Sequence, residues 1–236
     1  MVNELKIVLK KIPLLGSLLV YFSRIVRKFD HSESYWESRY AAGGNSGCGS
    51  YGRLADFKAK FLNEFITKKN IKTVVEFGCG DGNQLRLCNY PNYIGLDVSL
   101  SAINICKKIF RNDSSKQFFL IAEDETLDTQ FKSELSMSLD VIYHLVEDCV
   151  YEKYMKRLFS AGSHYVIIYS SNIEQPPTFH VKHRKFDDWV LKNFPDFELI
   201  HVEKNKYPYK GDNEVSSLAD FYVFENKVNL NAAEAE

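Results

Sequence analysis

Apolar residues along this chain fall into short runs separated by stretches of helical periodicity. Thr73-Val74-Val75-Glu76-Phe77, Tyr93-Ile94-Gly95-Leu96-Asp97, Phe118 to Ala122, Leu135 to Asp140 and His164 to Tyr169 are mostly apolar runs of strand length. Runs of this kind suit strands buried on both faces. Helical patterns lie between them at Ser101 to Phe110 and Cys149 to Phe159, and a short helical stretch follows the first run. This alternation predicts a doubly wound, mainly parallel sheet with helices on both faces. After a helix over Asp187 to Asn193 the pattern breaks. Phe197 to Val202 and Phe221 to Phe224 are two strands with no helix between them. A hairpin therefore adds an antiparallel strand at one edge.

Ahead of the first strand, Leu54, Phe57, Phe61, Leu62, Phe65 and Ile66 recur at helical spacing to about Lys69, with Asn70 as the helix end. Residues 31–52 are aromatic and then glycine-rich, from Tyr35-Trp36-Glu37-Ser38-Arg39-Tyr40 to Gly43-Gly44-Asn45-Ser46-Gly47-Cys48-Gly49-Ser50-Tyr51-Gly52. Glycines this dense predict a loop whose backbone can approach a ligand. The first thirty residues carry six basic against two acidic side chains around the apolar run Pro13 to Phe22. That run is shorter than the roughly 20 residues a membrane-spanning helix needs. A basic, amphipathic helix can lie in the headgroup layer, and the alternatives are packing on the domain or on a second subunit. Four segments follow: an extension at 1–30, a lid and helix at 31–70, the α/β domain at 71–226 and a tail at 227–236.

A length of 236 residues with 45% hydrophobic side chains suits one α/β domain with an appendage. The net charge of −1 argues against a generic nucleic-acid binder, which needs a basic surplus. Five scattered cysteines, Cys48, Cys79, Cys88, Cys106 and Cys149, form no CxxC pair. With no secretory signal in the sequence, they suit a reducing cytoplasm better than a disulfide framework or a zinc knuckle.

The glycine spacing after the first strand is the most informative feature. Gly78, Gly80 and Gly82 follow Glu76, whereas the dinucleotide fingerprint is GxGxxG and places a pyrophosphate on a helix N-terminus. A carboxylate at position 76 would repel a pyrophosphate, but it suits the ammonium of a methionine moiety. Asp97 ends the second strand, where an acid can accept both ribose hydroxyls. Asp97 or Ser99 can also cap the following helix.

Glu76-x-Gly78-x-Gly80-x-Gly82, Gly95-Leu96-Asp97-Val98-Ser99 and Leu139-Asp140-Val141-Ile142-Tyr143-His144 together resemble the successive motifs of class I S-adenosylmethionine-dependent methyltransferases. The resemblance covers roughly residues 72–224 and implies a seven-stranded Rossmann-like sheet with S-adenosyl-L-methionine as cofactor. By this likeness Gly78, Cys79 and Gly80 line the methionine arm, Asp97 the ribose and Val98 the adenine. Glu123 or Asp124 would meet the adenine amino group, and the backbone at Ser138 and Leu139 would flank the sulfonium. The Tyr35 to Tyr40 and Gly-Gly-Asn-Ser-Gly segments, with His180-Val181-Lys182-His183-Arg184-Lys185-Phe186, resemble a branch associated with bacterial surface-polysaccharide gene clusters. That implies a sugar or glycan acceptor, at the inner face of the cytoplasmic membrane.

Ligands of open α/β sheets lie at the carboxyl ends of the strands, which selects the loops for chemistry. His144 follows the fourth strand and is read as a general base for a hydroxyl acceptor, with Asp140 orienting it or touching the cofactor. Tyr143 reads as core or substrate wall. His180, His183 and Arg184 form a basic loop suited to anionic groups. The two histidines lack the HExxH or carboxylate company of a metal site. Trp36, Tyr40 and Tyr51 can stack on cofactor or on a sugar face, and Arg39 and Arg53 are candidates for the cofactor carboxylate. The competing readings are a small-molecule or N-methyltransferase and a non-catalytic interaction protein that keeps the fold.

Overall fold

The computed structural model describes residues 31–121 and 131–228. Seven strands form one sheet: β1 (Thr73–Phe77), β2 (Asn92–Asp97), β3 (Lys116–Leu120), β4 (Ser133–Leu139), β5 (Gly162–Ser170), β6 (Phe197–Glu203) and β7 (Asp220–Asn226). The spatial order is β3-β2-β1-β4-β5-β7-β6. β7 runs antiparallel to both its neighbours, while the pairings from β3 through β5 are parallel. The expected sheet, with its antiparallel terminal hairpin, is therefore the one observed.

Helices α1 (Ser32–Ala41), α2 (Gly52–Lys68), α3 (Leu100–Ile109), α4 (Asp148–Ala161) and α5 (Phe186–Asn193) accompany it. Side chains alternate across the pleat. Val74, Tyr93, Met137 and Ile167 join Leu62 and Ile66 of α2 and Ile103 of α3 in one apolar layer. Val75, Leu96, Val166 and Ile168 join Met155 and Leu158 of α4 and Val190 of α5 in the other. Burial on both faces explains why the central strands read as continuous apolar runs.

Two departures from expectation have physical reasons. Residues 32–41 are helical rather than looped, because the first glycine of that region is Gly43 and nothing earlier breaks a helix. The third strand is displaced to Lys116–Leu120 and buries only Phe118, leaving Phe119 and Leu120 exposed. It is an edge strand covered on one side, so its apolar run overstated its burial.

Local caps follow the sequence closely. Asn70 adopts φ 53° just after α2. Asn70 N–H donates to Thr67 O and Ile71 N–H to Ile66 O, the bonding pattern of a Schellman end with the left-handed residue at its turn. Ser99 opens α3 by accepting from Ala102 N–H. Residues 1–30 and the tail beyond 228 lie outside the described residues. Among the described residues no helix is long and apolar enough to cross a membrane.

Asn70→Ala removes the short polar side chain that makes the left-handed conformation tolerable for Asn, and should lower stability by about 1 kcal/mol. Asn70→Gly should keep or raise it. Urea unfolding of the two variants distinguishes them, and equal midpoints would show that the Asn70 turn is not limiting.

Candidate functional site

The carboxyl ends of β1, β2 and β4 open onto one cleft. Glu76, Gly78, Cys79, Gly80, Asp97, Val98, Leu139, Asp140 and His144 line it, together with Trp36 and Tyr40 of α1 and Lys58 of α2. Most of the predicted site residues are therefore brought together. Glu123 and Asp124 lie outside the described residues. Tyr51, Tyr143, His180, His183 and Arg184 are not in the cleft lining. Ser138 is buried behind the wall, where its hydroxyl accepts from Tyr154 at 2.7 Å.

The turn after β1 takes left-handed φ values at Gly78 (79°), Gly80 (56°) and Gly82 (73°). Space as well as conformation requires glycine there. A β-carbon on Gly78 would lie 2.5 Å from Val141 Cγ2, and one on Gly80 would overlap Ser46 Oγ and sit 2.8 Å from the Tyr40 hydroxyl. The turn is tied to β2 by Gly78 N–H and Cys79 N–H, which both donate to Leu96 O. Asp97 Oδ2 accepts from Gly80 N–H and Asp97 Oδ1 from Ser99 N–H, each at 2.9 Å. Burial raises the Asp97 carboxyl to about 6, although backbone donors oppose the shift. Glu76 is raised further, to about 7, again by burial and against the Tyr93 hydroxyl, which donates to it at 2.6 Å.

Residues 32–51 close over this turn. Asp81 Oδ2 accepts from Ser46 N–H at 2.9 Å and from the Tyr51 hydroxyl at 2.7 Å, and Asp81 N–H donates to Ser46 Oγ. Glu37 of α1 accepts from both hydroxyls of Ser99 and Ser101 and from Ser101 N–H, at the start of α3. Those donors hold its carboxyl below the usual range. At the other end of α1, Ser32 donates to Glu147 Oε2 and is near His144 O, at 2.6 and 2.9 Å. Tyr51 is therefore occupied in fastening the lid, and Tyr40 bonds Ser46 at 3.0 Å; Trp36 is the lid aromatic that faces the far side of the cleft.

On that far side His144 Nδ1 is 3.1 Å from His180 O. A carbonyl offers only lone pairs, so Nδ1 carries the proton and Nε2 is left with a lone pair. Burial lowers the imidazole to about 4, which keeps it neutral at physiological pH. His180 stacks on His144 with centroids 5.4 Å apart and on Tyr35 at 4.9 Å, and Trp36 meets His144 edge-on at 5.0 Å. Burial lowers His180 and His183 as well, behind the cleft lining.

The expected anion-binding loop has a different task. Arg184 donates to Leu145 O, Val146 O and Asp148, and lies over the Tyr151 ring at 4.4 Å. Lys182 pairs with the same Asp148 at 2.6 Å. These cations brace the His180 loop against the start of α4. Arg39 bonds Asn45 and Arg53 bonds Val215 O, and neither lines the cleft. Among the cations that do, with Lys153 and Arg157, is Lys58, whose side chain is fully buried and whose Nζ is 2.6 Å from Asp140 Oδ2. Its signal was present in the helical pattern, since position 58 is four residues from both Leu54 and Leu62 on the apolar stripe.

No family model matches the sequence, and no curated protein matches it. Solved structures do. N-methyltransferase NodS from Bradyrhizobium japonicum, solved with S-adenosyl-L-homocysteine, matches with TM-score 0.62 and 13% identity over 84% of this chain and 99% of that one. The fold is that of class I S-adenosylmethionine-dependent methyltransferases. Magnesium protoporphyrin IX methyltransferase from Synechocystis gives TM-score 0.58 at 13% identity, covering 86% of this chain and 98% of its own. The methyltransferase domain of a bacterial Hen1 gives 0.54 at 20%, covering 71% and 97%. These methyltransferases act on unlike acceptors, so the shared architecture leaves the acceptor open. Among the described residues no group of His, Cys, Asp and Glu is placed to hold a metal ion.

Gly80→Ala should pry Ser46 and Tyr40 away from the turn and loosen the lid. Hydrogen exchange should speed up at residues 44–51 while the strands stay protected; unchanged exchange there would show that the lid does not depend on this contact.

Proposed function

We propose that the protein is an S-adenosylmethionine-dependent methyltransferase that methylates a hydroxyl of a sugar or glycan precursor, with His144 as general base. The observation that carries this reading is one cleft that combines the Gly78–Gly80 cradle, Asp97 and a neutral His144 with an available Nε2 lone pair. The residues present fit the cofactor. Bare backbone at Gly78 and Gly80 leaves room for the methionine arm, Glu76 is a buried carboxylate for its ammonium, and Asp97 and Val98 suit the ribose and adenine. When bound, the cofactor supplies an electrophilic methyl group on a sulfonium.

The protein's part is then placement and proton handling. An acceptor hydroxyl hydrogen-bonded to His144 Nε2 is pointed for attack. Its proton becomes strongly acidic as the new C–O bond forms, so an imidazole with a depressed pKa can still take it. The Trp36 and His144 rings that line the cleft suit a sugar face. Arg184 and Lys182 are engaged by Asp148 and so give no reason to expect an anionic acceptor. The basic residues of the 1–28 segment favour a membrane-linked glycan intermediate as the acceptor.

His144→Ala should bind S-adenosylhomocysteine as the parent does and lose about 100-fold or more in turnover, read as a 14-dalton gain on candidate nucleotide sugars and glycans. Retained turnover rules out the base. No calorimetric binding of S-adenosylhomocysteine to the parent protein sinks the cofactor reading.

The raised carboxyls set a pH dependence. Glu76 and Asp97 titrate at about 7 and about 6 when the cleft holds no cofactor, and an ammonium and ribose hydroxyls are better received by their ionised forms. Affinity should therefore fall as pH drops from 8 to 5.5, with protons released on binding in that window. Calorimetry in buffers of different ionisation enthalpy measures the release; a pH-independent affinity would contradict it.

A further inference from the structure

We propose that Lys58 is a positioning residue that joins recognition of an amino-acid carboxylate in the cleft to the placement of the loop carrying Tyr143 and His144. The proposal rests on reading the cleft as a cofactor site. A fully buried ammonium is costly to desolvate and persists only where charged or polar partners compensate it. Among the described residues Lys58 Nζ has one hydrogen-bond partner, Asp140 Oδ2 at 2.6 Å, and the Tyr169 ring centroid is 5.2 Å away. An ammonium carries three donors. The carboxylate takes one and the ring face attracts a second, which leaves donor capacity on a side chain that lines the cleft. Lys58 also holds down the Glu76 carboxyl electrostatically, so it lies among two acids of the same cleft. When both are ionised, the cluster has one negative charge in excess. An amino-acid zwitterion complements such a cluster, its ammonium facing the acids and its carboxylate facing Lys58.

The other side of Lys58 leads to the acceptor loop. Asp140 has φ 60°, a left-handed conformation that an aspartate keeps only when its surroundings impose it. Its Oδ1 accepts from the Tyr143 hydroxyl at 2.9 Å, and the Tyr143 ring is 4.5 Å from that of His144. The same carboxylate is pressed by the lid, since a β-carbon on Gly49 would lie 2.6 Å from Oδ2. One ion pair thus fastens α2, the lid turn and the loop after β4. A carboxylate arriving at Lys58 shares its ammonium with Asp140 and changes the pull on that loop. Trp36, edge-on to His144, is placed to report the change.

The test uses the full chain with Trp189→Phe, which leaves Trp36 as the one tryptophan. S-adenosylhomocysteine is compared with 5′-methylthioadenosine, which lacks the amino-acid arm. In the parent, S-adenosylhomocysteine should bind roughly 10- to 100-fold tighter, as expected for charge-assisted bonds, and it alone should shift Trp36 emission. Lys58→Met should cut the preference for S-adenosylhomocysteine by about tenfold, leaving the part that Glu76 supplies, and abolish the difference in emission, with methylthioadenosine affinity unchanged. Asp140→Asn should keep the preference for S-adenosylhomocysteine and lose its emission shift. A Lys58→Met protein that keeps the parent's ratio of affinities overturns the proposal, as does an Asp140→Asn protein that keeps the shift. Should Lys58→Met fail to fold, the Lys58→Met, Asp140→Asn double variant leaves no lone buried charge and is judged by the Lys58→Met criteria. Absence of S-adenosylhomocysteine binding in the parent is a distinct failure, of the cofactor reading itself.

Discussion

The bare backbone of the Gly78–Gly82 turn is where the rest of the site meets. It receives a side chain or a chain segment from every direction: Val141 from the loop after β4, Ser46 and Tyr40 from the lid, and Cys106 of α3 beneath Gly82. Its own amides are distributed among Leu96 O, Asp97 and Ser46. A β-carbon anywhere on the inner side would displace one of those neighbours, and the left-handed φ values would resist it independently. The cradle is thus set by what surrounds the turn as much as by the turn, and the cofactor half of the cleft cannot be separated from the lid.

That coupling explains the two carboxylates buried at the end of β1 and the end of β2. Glu76 and Asp97 have few charged partners, and desolvation raises both. A site built only for stability would have replaced or paired them. Here the cost of their burial is offset by neutral donors, Tyr93 to Glu76 and the Gly80 and Ser99 amides to Asp97. Such donors hold a carboxylate in place without neutralising it, so the cleft keeps an unanswered preference for positive charge. The Tyr93 hydroxyl, stacked in the core against Tyr90, is as much a part of the site as the acid it steadies.

The mainly parallel sheet, the terminal hairpin, the glycine turn and the acids at positions 76 and 97 were legible because each depends on local pattern: strand-length apolar runs, glycine spacing, and an acid at a strand end. The α1 helix was obscured by the glycines that follow it, whose influence begins only at Gly43. The role of Arg184 was not legible, because a basic loop looks the same whether its charges meet a ligand or an acid such as Asp148, distant in sequence and adjacent in space. Lys58 was legible in principle. A lysine on the apolar stripe of a helix is either misplaced or needed inside, but its partner, Asp140, lies 82 residues away and no periodicity points to it. Residues whose function is set by long-range pairing are the ones pattern cannot assign.

The charge balance of the acceptor side follows from the same pairings. Lys182 and Arg184 share Asp148, and burial keeps His144, His180 and His183 unprotonated. Of these histidines His144 lines the cleft, where it presents an imidazole lone pair beside the Trp36 ring. The acids at the glycine turn give the cleft its attraction for a cation such as a sulfonium, which Lys58, Lys153 and Arg157 of the same lining oppose. The ion pair of Lys58 with Asp140 joins α2 to the loop after β4, so that a substitution at either residue would disturb both.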